Sequence, residues 1–91
     1  MLLLELMIVR NKNNILEHCY TVYIHLFPNG KNYVGITSQY PEDRWRKGRG
    51  YIGQSLVYNA IKKYGWENIE HFIFASNLTG PEALNMEKIL I

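Results

Sequence analysis

Ninety-one residues, 47% of them hydrophobic and 20% charged, describe one small globular unit near the lower limit for a core that holds without disulfides or a structural metal. A net charge of +2 permits contact with a polyanion without demanding it, and the one cysteine excludes an intramolecular disulfide. No apolar run approaches the roughly 18 residues needed to span a bilayer, so the expectation is a cytoplasmic protein in a reducing compartment, with no membrane partner.

The chain opens on Met1-Leu2-Leu3-Leu4-Glu5-Leu6-Met7-Ile8-Val9, which lacks a basic n-region and a small-residue cleavage site and carries Glu5. It reads as an accessory strand or helix, and its Leu2, Leu3, Leu4, Leu6 and Ile8 are the residues through which a homodimer would form. The polar Arg10-Asn11-Lys12-Asn13-Asn14 stretch separates it from the rest. We place an accessory segment at 1–18 and the functional domain at 19–91.

From Tyr20 to Phe27 the residues alternate, with Tyr20, Val22, Ile24 and Leu26 on one face and Thr21, Tyr23, His25 and Phe27 on the other, which predicts a strand. Pro28-Asn29-Gly30 supplies a turn, and Asn32 to Thr37 a second strand, so Tyr23 and Tyr33 are expected nearly opposite each other on one face of a hairpin. Pro41 with Glu42 and Asp43 starts a short helix carrying Arg44, stopped after Lys47 by Gly48 and Gly50.

Ser55 to Tyr64 has the spacing of a helix, with Leu56, Ala60 and Tyr64 beside Val57 and Ile61, and Gly65 at its end. Glu70 to Ala75 predicts a third strand, more buried than alternating. Gly80-Pro81-Glu82 opens a last helix with apolar positions Ala83, Leu84, Met86, Ile89, Leu90 and Ile91. The order predicts an α+β sandwich, a three-stranded mainly antiparallel sheet flanked by helices.

Tyr23, Tyr33, Arg44 and Glu87 are the candidates for chemistry. A carboxylate suits a hard cation, a guanidinium offsets charge developing on a phosphate, and phenols orient water, which together fit metal-dependent phosphodiester hydrolysis. Each also has a plainer role: strand tyrosines pack, and an arginine or glutamate on a short helix faces water. Arg44, Arg46, Lys47 and Arg49, interleaved with Trp45 and Tyr51, form the densest basic cluster and suit either a DNA backbone or a solvated helix face.

His25 alternates onto the face of Tyr23. His18, Cys19, His25 and His71 lack the spacing of a zinc site. No phosphate-cradling glycine motif and no Ser-His-Asp order is present, which leaves nucleotide hydrolysis and acyl transfer without support.

Thr21-Val22-Tyr23 and Tyr33-Val34-Gly35, followed by Arg44-Trp45, the Tyr58-to-Asn68 helix and turn, and Glu87 in Asn85-Met86-Glu87-Lys88-Ile89, resemble the GIY-YIG nuclease family. The likeness covers Tyr20 to Ile91, with Thr21 in place of the first motif's glycine. It implies a DNA endonuclease of phage or mobile-element type that uses one Mg²⁺ or Mn²⁺. Tyr23 would act as general base or orient the water, with Tyr33 supporting that water and the scissile phosphate. Arg44 would neutralise phosphate oxygens, Glu87 would bind the metal, and Tyr51 would take the place of a histidine or tyrosine after the arginine helix. Arg46, Lys47, Arg49 and Trp45 would contact DNA. Family members often continue past the glutamate helix, so the domain at 19–91 is expected to lack its C-terminal end. The alternative is a DNA-binding module of the same fold without turnover.

Overall fold

The computed structural model describes residues 18–90 and the backbone of residues 2–6. In chain order the elements are β1 (Leu2–Leu6), β2 (Tyr20–Leu26), β3 (Asn32–Thr37), α1 (Pro41–Trp45), a 3₁₀ stretch (Arg46–Tyr51), α2 (Ser55–Tyr64), β4 (Glu70–Leu78) and α3 (Gly80–Leu90). The sheet order is β1-β3-β2-β4. Strand β2 is antiparallel to both of its neighbours, and β1 adds to β3 in parallel. The antiparallel trio with three helices is the α+β architecture expected, and the parallel edge strand is an addition to it. The side chains of residues 2–6 and all of residues 7–17 lie outside the described residues, so the dimer expectation for this segment falls there too.

The alternation of β2 decides the layers. Its odd face, with Tyr23 and Phe27, joins Tyr33, Trp45, Tyr51, Val57, Ile61 and Ile69 in one core under α1, the 3₁₀ stretch and α2. Its even face, with Tyr20 and Val22, joins Val34, Ile36 and Ala83 in a second core under α3. Burying each Val or Ile fully contributes roughly 1.5–3 kcal/mol. The middle of the sheet is therefore the most strongly held part, with helices on both sides.

The hairpin turn follows from its residues. Gly30 adopts φ +86°, its N–H donates to the Phe27 carbonyl at 2.9 Å, and the Lys31 N–H donates to Asn29 Oδ1 at 3.0 Å. The register differs from expectation by one pair: Tyr23 faces Gly35 and Tyr33 faces His25, so the two tyrosines are diagonal neighbours. They still share a face, with ring centroids 6.3 Å apart.

Helix α1 ends at Trp45, two residues earlier than expected, because Arg46 and Lys47 take left-handed backbone angles ahead of Gly48. Helix α2 has its expected span, but Leu56 is exposed and only Val57 and Ile61 are buried in it. Strand β4 runs on to Leu78 and is not buried: Phe72, Ile73 and Phe74 are each about half exposed. The reason is its place at the edge of the described sheet, with register shifts opposite Tyr20–Tyr23, beyond the cover of the helices that clamp β2 and β3.

A signal the composition did not reveal sets the start of α3. Thr79 Oγ1 accepts from the Glu82 N–H at 3.2 Å while Glu82 Oε1 accepts from the Thr79 N–H at 2.9 Å, a reciprocal capping box.

Candidate active site

Three tyrosines and an arginine meet on the odd face of the sheet. Tyr23 comes from β2, Tyr33 from β3, Arg44 from α1 and Tyr51 from the end of the 3₁₀ stretch. Gly35 lies directly under the Tyr23 ring: a Cβ there would overlap Tyr23 Cζ and Oη and stand 2.7 Å from Cε1. Glycine at that point of β3 is what lets the phenol lie flat across the strand.

Gly50 does the same for Arg44. The backbone at Gly50 runs so close to the Arg44 carbonyl that a Cβ would overlap it, and Gly50's own carbonyl accepts from Arg44 Nη1 at 2.7 Å. The guanidinium carbon stands 4.4 Å from the centroid of the Tyr51 ring, a cation–π contact. Arginine is therefore turned inward to the phenols, 4% exposed, instead of facing water as an isolated helical arginine would.

The hydroxyls of Tyr51 and Tyr23 share a hydrogen bond of 3.1 Å, and Tyr51 Oη is 2.8 Å from His25 Nε2. His25 Nδ1 is in turn 2.9 Å from His71 Nδ1 on β4, and His71 Nε2 donates to the Trp66 carbonyl at 3.1 Å. Tyr33 stacks on His25, with centroids 5.6 Å apart and planes 14° apart, and its hydroxyl is buried with no hydrogen-bond partner among the described residues. An orphaned buried hydroxyl costs about 1–3 kcal/mol, so a ligand oxygen that satisfied it would bind more tightly by a comparable amount.

Burial, reinforced by the neighbouring His71 and Arg44, pushes the His25 pKa down to about 3. Burial also lowers that of His71, against the opposing effect of its bond to the Trp66 carbonyl. Both imidazoles are thus held neutral near pH 7.

Glu87 occupies a different layer. It sits one turn beyond Ala83 on the buried stripe of α3, and Ala83 packs with Val22, Val34 and Ile36 on the even face. The carboxylate is 4% exposed, Oε2 has no hydrogen-bond partner among the described residues, and burial raises its pKa above the ordinary glutamate range. Among the described residues no hydrogen bond or ion pair joins it to Tyr23, Tyr33, Arg44 or Tyr51. The structure therefore brings four of the five implied reactive residues together and leaves the fifth on the helix behind the sheet.

No group of three or more His, Cys, Asp or Glu side chains is arranged to hold a metal among the described residues. A magnesium ion needs less, since it keeps most of its water and takes one or two carboxylates. The orphaned Glu87 Oε2 suits that single role.

The basic residues divide. Arg46, Lys47 and Arg49 are exposed. Trp45, expected as a stacking surface for DNA, is instead in the core, its ring 5.4 Å from Tyr23 and 5.0 Å from His25 by centroid. It is the inward residue of the short α1, so its indole cannot also meet a base. Thr21, two residues from Tyr23 on the same face, lines a cleft of about 530 Å³ with Ser38, Gln39, Tyr40 and Asp43. The phenols themselves are buried.

The pairing of His71 with His25 is not marked by any spacing in the sequence. The usable signal was the alternation of β2: any antiparallel strand on its free side would set a residue beside His25. Compared with family models, curated proteins and solved structures, the chain matches none.

Proposed function

We propose that the chain is a metal-dependent endonuclease of the GIY-YIG type that hydrolyses DNA phosphodiester bonds. The observation that carries this reading is the convergence of Tyr23, Tyr33, Tyr51 and Arg44 from four separate elements, with Gly35 and Gly50 fitted to the two side chains that need room. A buried arginine beside a phenol whose hydroxyl has no hydrogen-bond partner among the described residues supports an anion site.

In this reading Arg44 offsets the negative charge that builds on the phosphate oxygens, where low dielectric makes a fixed cation most effective. The Tyr33 hydroxyl, without a partner among the described residues, hydrogen-bonds the attacking water or a phosphate oxygen. Tyr23 accepts the proton of that water. Glu87 would hold one Mg²⁺ or Mn²⁺, which when bound polarises the phosphate. The exposed Arg46, Lys47 and Arg49 contact the DNA backbone.

The placement of Glu87 favours one competing reading, a DNA-binding module of this fold without turnover. Both bind DNA in a salt-sensitive way, and only the first cuts it. Purified protein with Mg²⁺ or Mn²⁺ is expected to nick supercoiled plasmid, with Tyr33→Phe and Glu87→Ala both inactive. Binding without nicking leaves the module, and nicking by the Glu87→Ala protein at the wild-type rate refutes the role of that carboxylate.

A further inference from the structure

We propose that the notch between the β2–β3 turn and α2 takes one unpaired nucleotide of the DNA, with the base on its apolar floor and a backbone phosphate between Lys31 and Lys63. That the ligand is DNA rests on the reading above, while the shape and charge of the notch stand apart from it.

Two stretches of sequence shape the notch. Phe27 follows β2 and is buried, and its N–H donates to the Lys31 carbonyl at 2.9 Å while its own carbonyl accepts from the Gly30 N–H at 2.9 Å. Those two bonds fold Lys31 back beside Phe27. The facing wall comes from α2, where Leu56, Asn59, Ala60 and Lys63 recur at three- and four-residue spacing and so share one stripe of the helix, beside the buried stripe of Val57 and Ile61. The two walls enclose a cavity of about 210 Å³.

This placement accounts for Leu56, which is 68% exposed although it belongs to the helical apolar pattern. A single exposed leucine needs no explanation, but this one stands at a concavity whose other apolar walls are Phe27, Ala60 and Tyr64. The Phe27 and Tyr64 rings have centroids 6.2 Å apart and planes 59° apart, so they form an aromatic corner. The volume is below the roughly 300–1,000 Å³ of pockets that enclose a whole small-molecule ligand. It suits one part of a larger ligand, and a flat ring is the part that such a corner accepts.

Charge decides what that ring is attached to. Lys31 and Lys63 line the notch, and no Asp or Glu lines it among the described residues. The Lys63 ammonium stands 5.3 Å from the centroid of the Tyr64 ring, a cation–π contact that holds it at the aromatic wall. Lys62, its neighbour in the chain, is engaged by Tyr58 instead, at 5.1 Å. A flat ring joined to an anion describes a nucleotide, and Asn29 and Asn59 bring amides of the kind that hydrogen-bond base edges.

A base inside a duplex keeps its faces stacked on its neighbours and cannot lie on this floor, so the nucleotide is an unpaired one. Phe27 lies two alternations along from Tyr23 on the same face of the sheet. At 3.2–3.4 Å of rise per residue the floor is roughly 13 Å from the phenol cluster. At 3.4 Å per nucleotide of a stacked strand, that distance is about four nucleotides. The favoured substrate is accordingly DNA with an unpaired base within about four nucleotides of the cut.

The experiment measures binding of a fluorescent oligothymidylate, and of the same oligomer made abasic throughout, by anisotropy over a series of salt concentrations. The full chain is compared with Lys31→Gln, Lys63→Gln and Leu56→Gln, all at exposed positions that the fold does not depend on. Lys88→Gln, on α3 at the other face of the sheet, is the charge control. The wild type is expected to prefer the oligothymidylate by about 5-fold or more, and Leu56→Gln to lose that preference. Each of Lys31→Gln and Lys63→Gln is expected to lower the slope of log affinity against log salt by about 0.7, with Lys88→Gln unchanged. Equal affinity of the wild type for the two oligomers, or a preference that survives Leu56→Gln, overturns the nucleotide site. Lysine variants that behave like Lys88→Gln overturn it as well. Plasmid nicking, measured beside binding, keeps the two readings apart: a wild type that binds as expected and cuts nothing refutes the endonuclease and leaves the notch, and one that cuts without base preference refutes the notch and leaves the endonuclease.

Discussion

Gly35→Ala is the most direct probe of how the phenol cluster is built. The added methyl would overlap Tyr23 Cζ and Oη and stand 2.7 Å from Cε1, where carbon atoms prefer about 3.5–4.0 Å. The ring must therefore retreat by about 1 Å, but His25 and Trp45 stand behind it at centroid distances of 5.1 and 5.4 Å. Overpacking of this kind costs about 1–3 kcal/mol, and displacement of the Tyr23 hydroxyl from Tyr51 about 1 kcal/mol more. The 0.5–1 kcal/mol that alanine typically gains over glycine in a strand offsets part of this, leaving roughly 1–3 kcal/mol. At about 4–8 °C per kcal/mol for a domain of this size, Tm should fall by roughly 5–20 °C in a thermal melt followed by circular dichroism. Tyr23→Leu ends before Cζ, so in that background Gly35→Ala should cost nothing or stabilise, whereas Tyr23→Phe keeps the clash. A full cost retained beside Tyr23→Leu would show that Gly35 serves its own backbone and not the ring, and the close-approach argument would be wrong.

Other consequences are equally open to measurement. His25, with its pKa depressed to about 3 against 6.5 unfolded, binds fewer protons in the fold than in the chain, so its contribution is present above pH 6.5 and is lost as pH falls toward 3; chemical denaturation should show stability dropping by roughly 4–5 kcal/mol over that range, and His25→Gln should flatten the slope. Glu87→Gln should raise Tm at pH 7, because burial raises the carboxyl's pKa and the amide removes the cost of ionisation there; an unchanged or lower Tm would mean that the carboxylate is stabilised in place. Thr79→Ala should cost about 0.5–2 kcal/mol and, combined with Glu82→Ala, less than the sum of the two, as a reciprocal cap requires. Replacing Arg46, Lys47 or Arg49 by alanine should each reduce the slope of log affinity against log salt for duplex DNA by about 0.9, with an unchanged slope excluding a phosphate contact.

What the sequence disclosed and what it hid divide along physical lines. The hairpin, α2 and the start of α3 were legible because each carries its own local signal: period-two alternation around Pro28-Asn29-Gly30, helical spacing closed by Gly65, and Gly80-Pro81-Glu82. The exposure of Phe72, Ile73 and Phe74 was not legible because an apolar run does not reveal whether its strand is central or at an edge. The inward placement of Trp45 and Arg44 was hidden for a related reason. A five-residue helix has too few turns to display a face, so only the tertiary fold shows that both point inward. His71 was illegible as a partner of His25 because the two are brought together by register across strands and lie 46 positions apart in the chain.

The central claim is that the phenol–arginine cluster and Glu87 serve one phosphate, although they lie in different layers of this structure. A crystal grown with Mn²⁺ and a short DNA, read by the metal's anomalous signal, tests it most directly. The account predicts an ion on Glu87 with a phosphate oxygen or water linking it to the Tyr33 hydroxyl and Arg44. An ion held by Glu87 against the layer of Val22 and Val34, with DNA bound elsewhere, would contradict it.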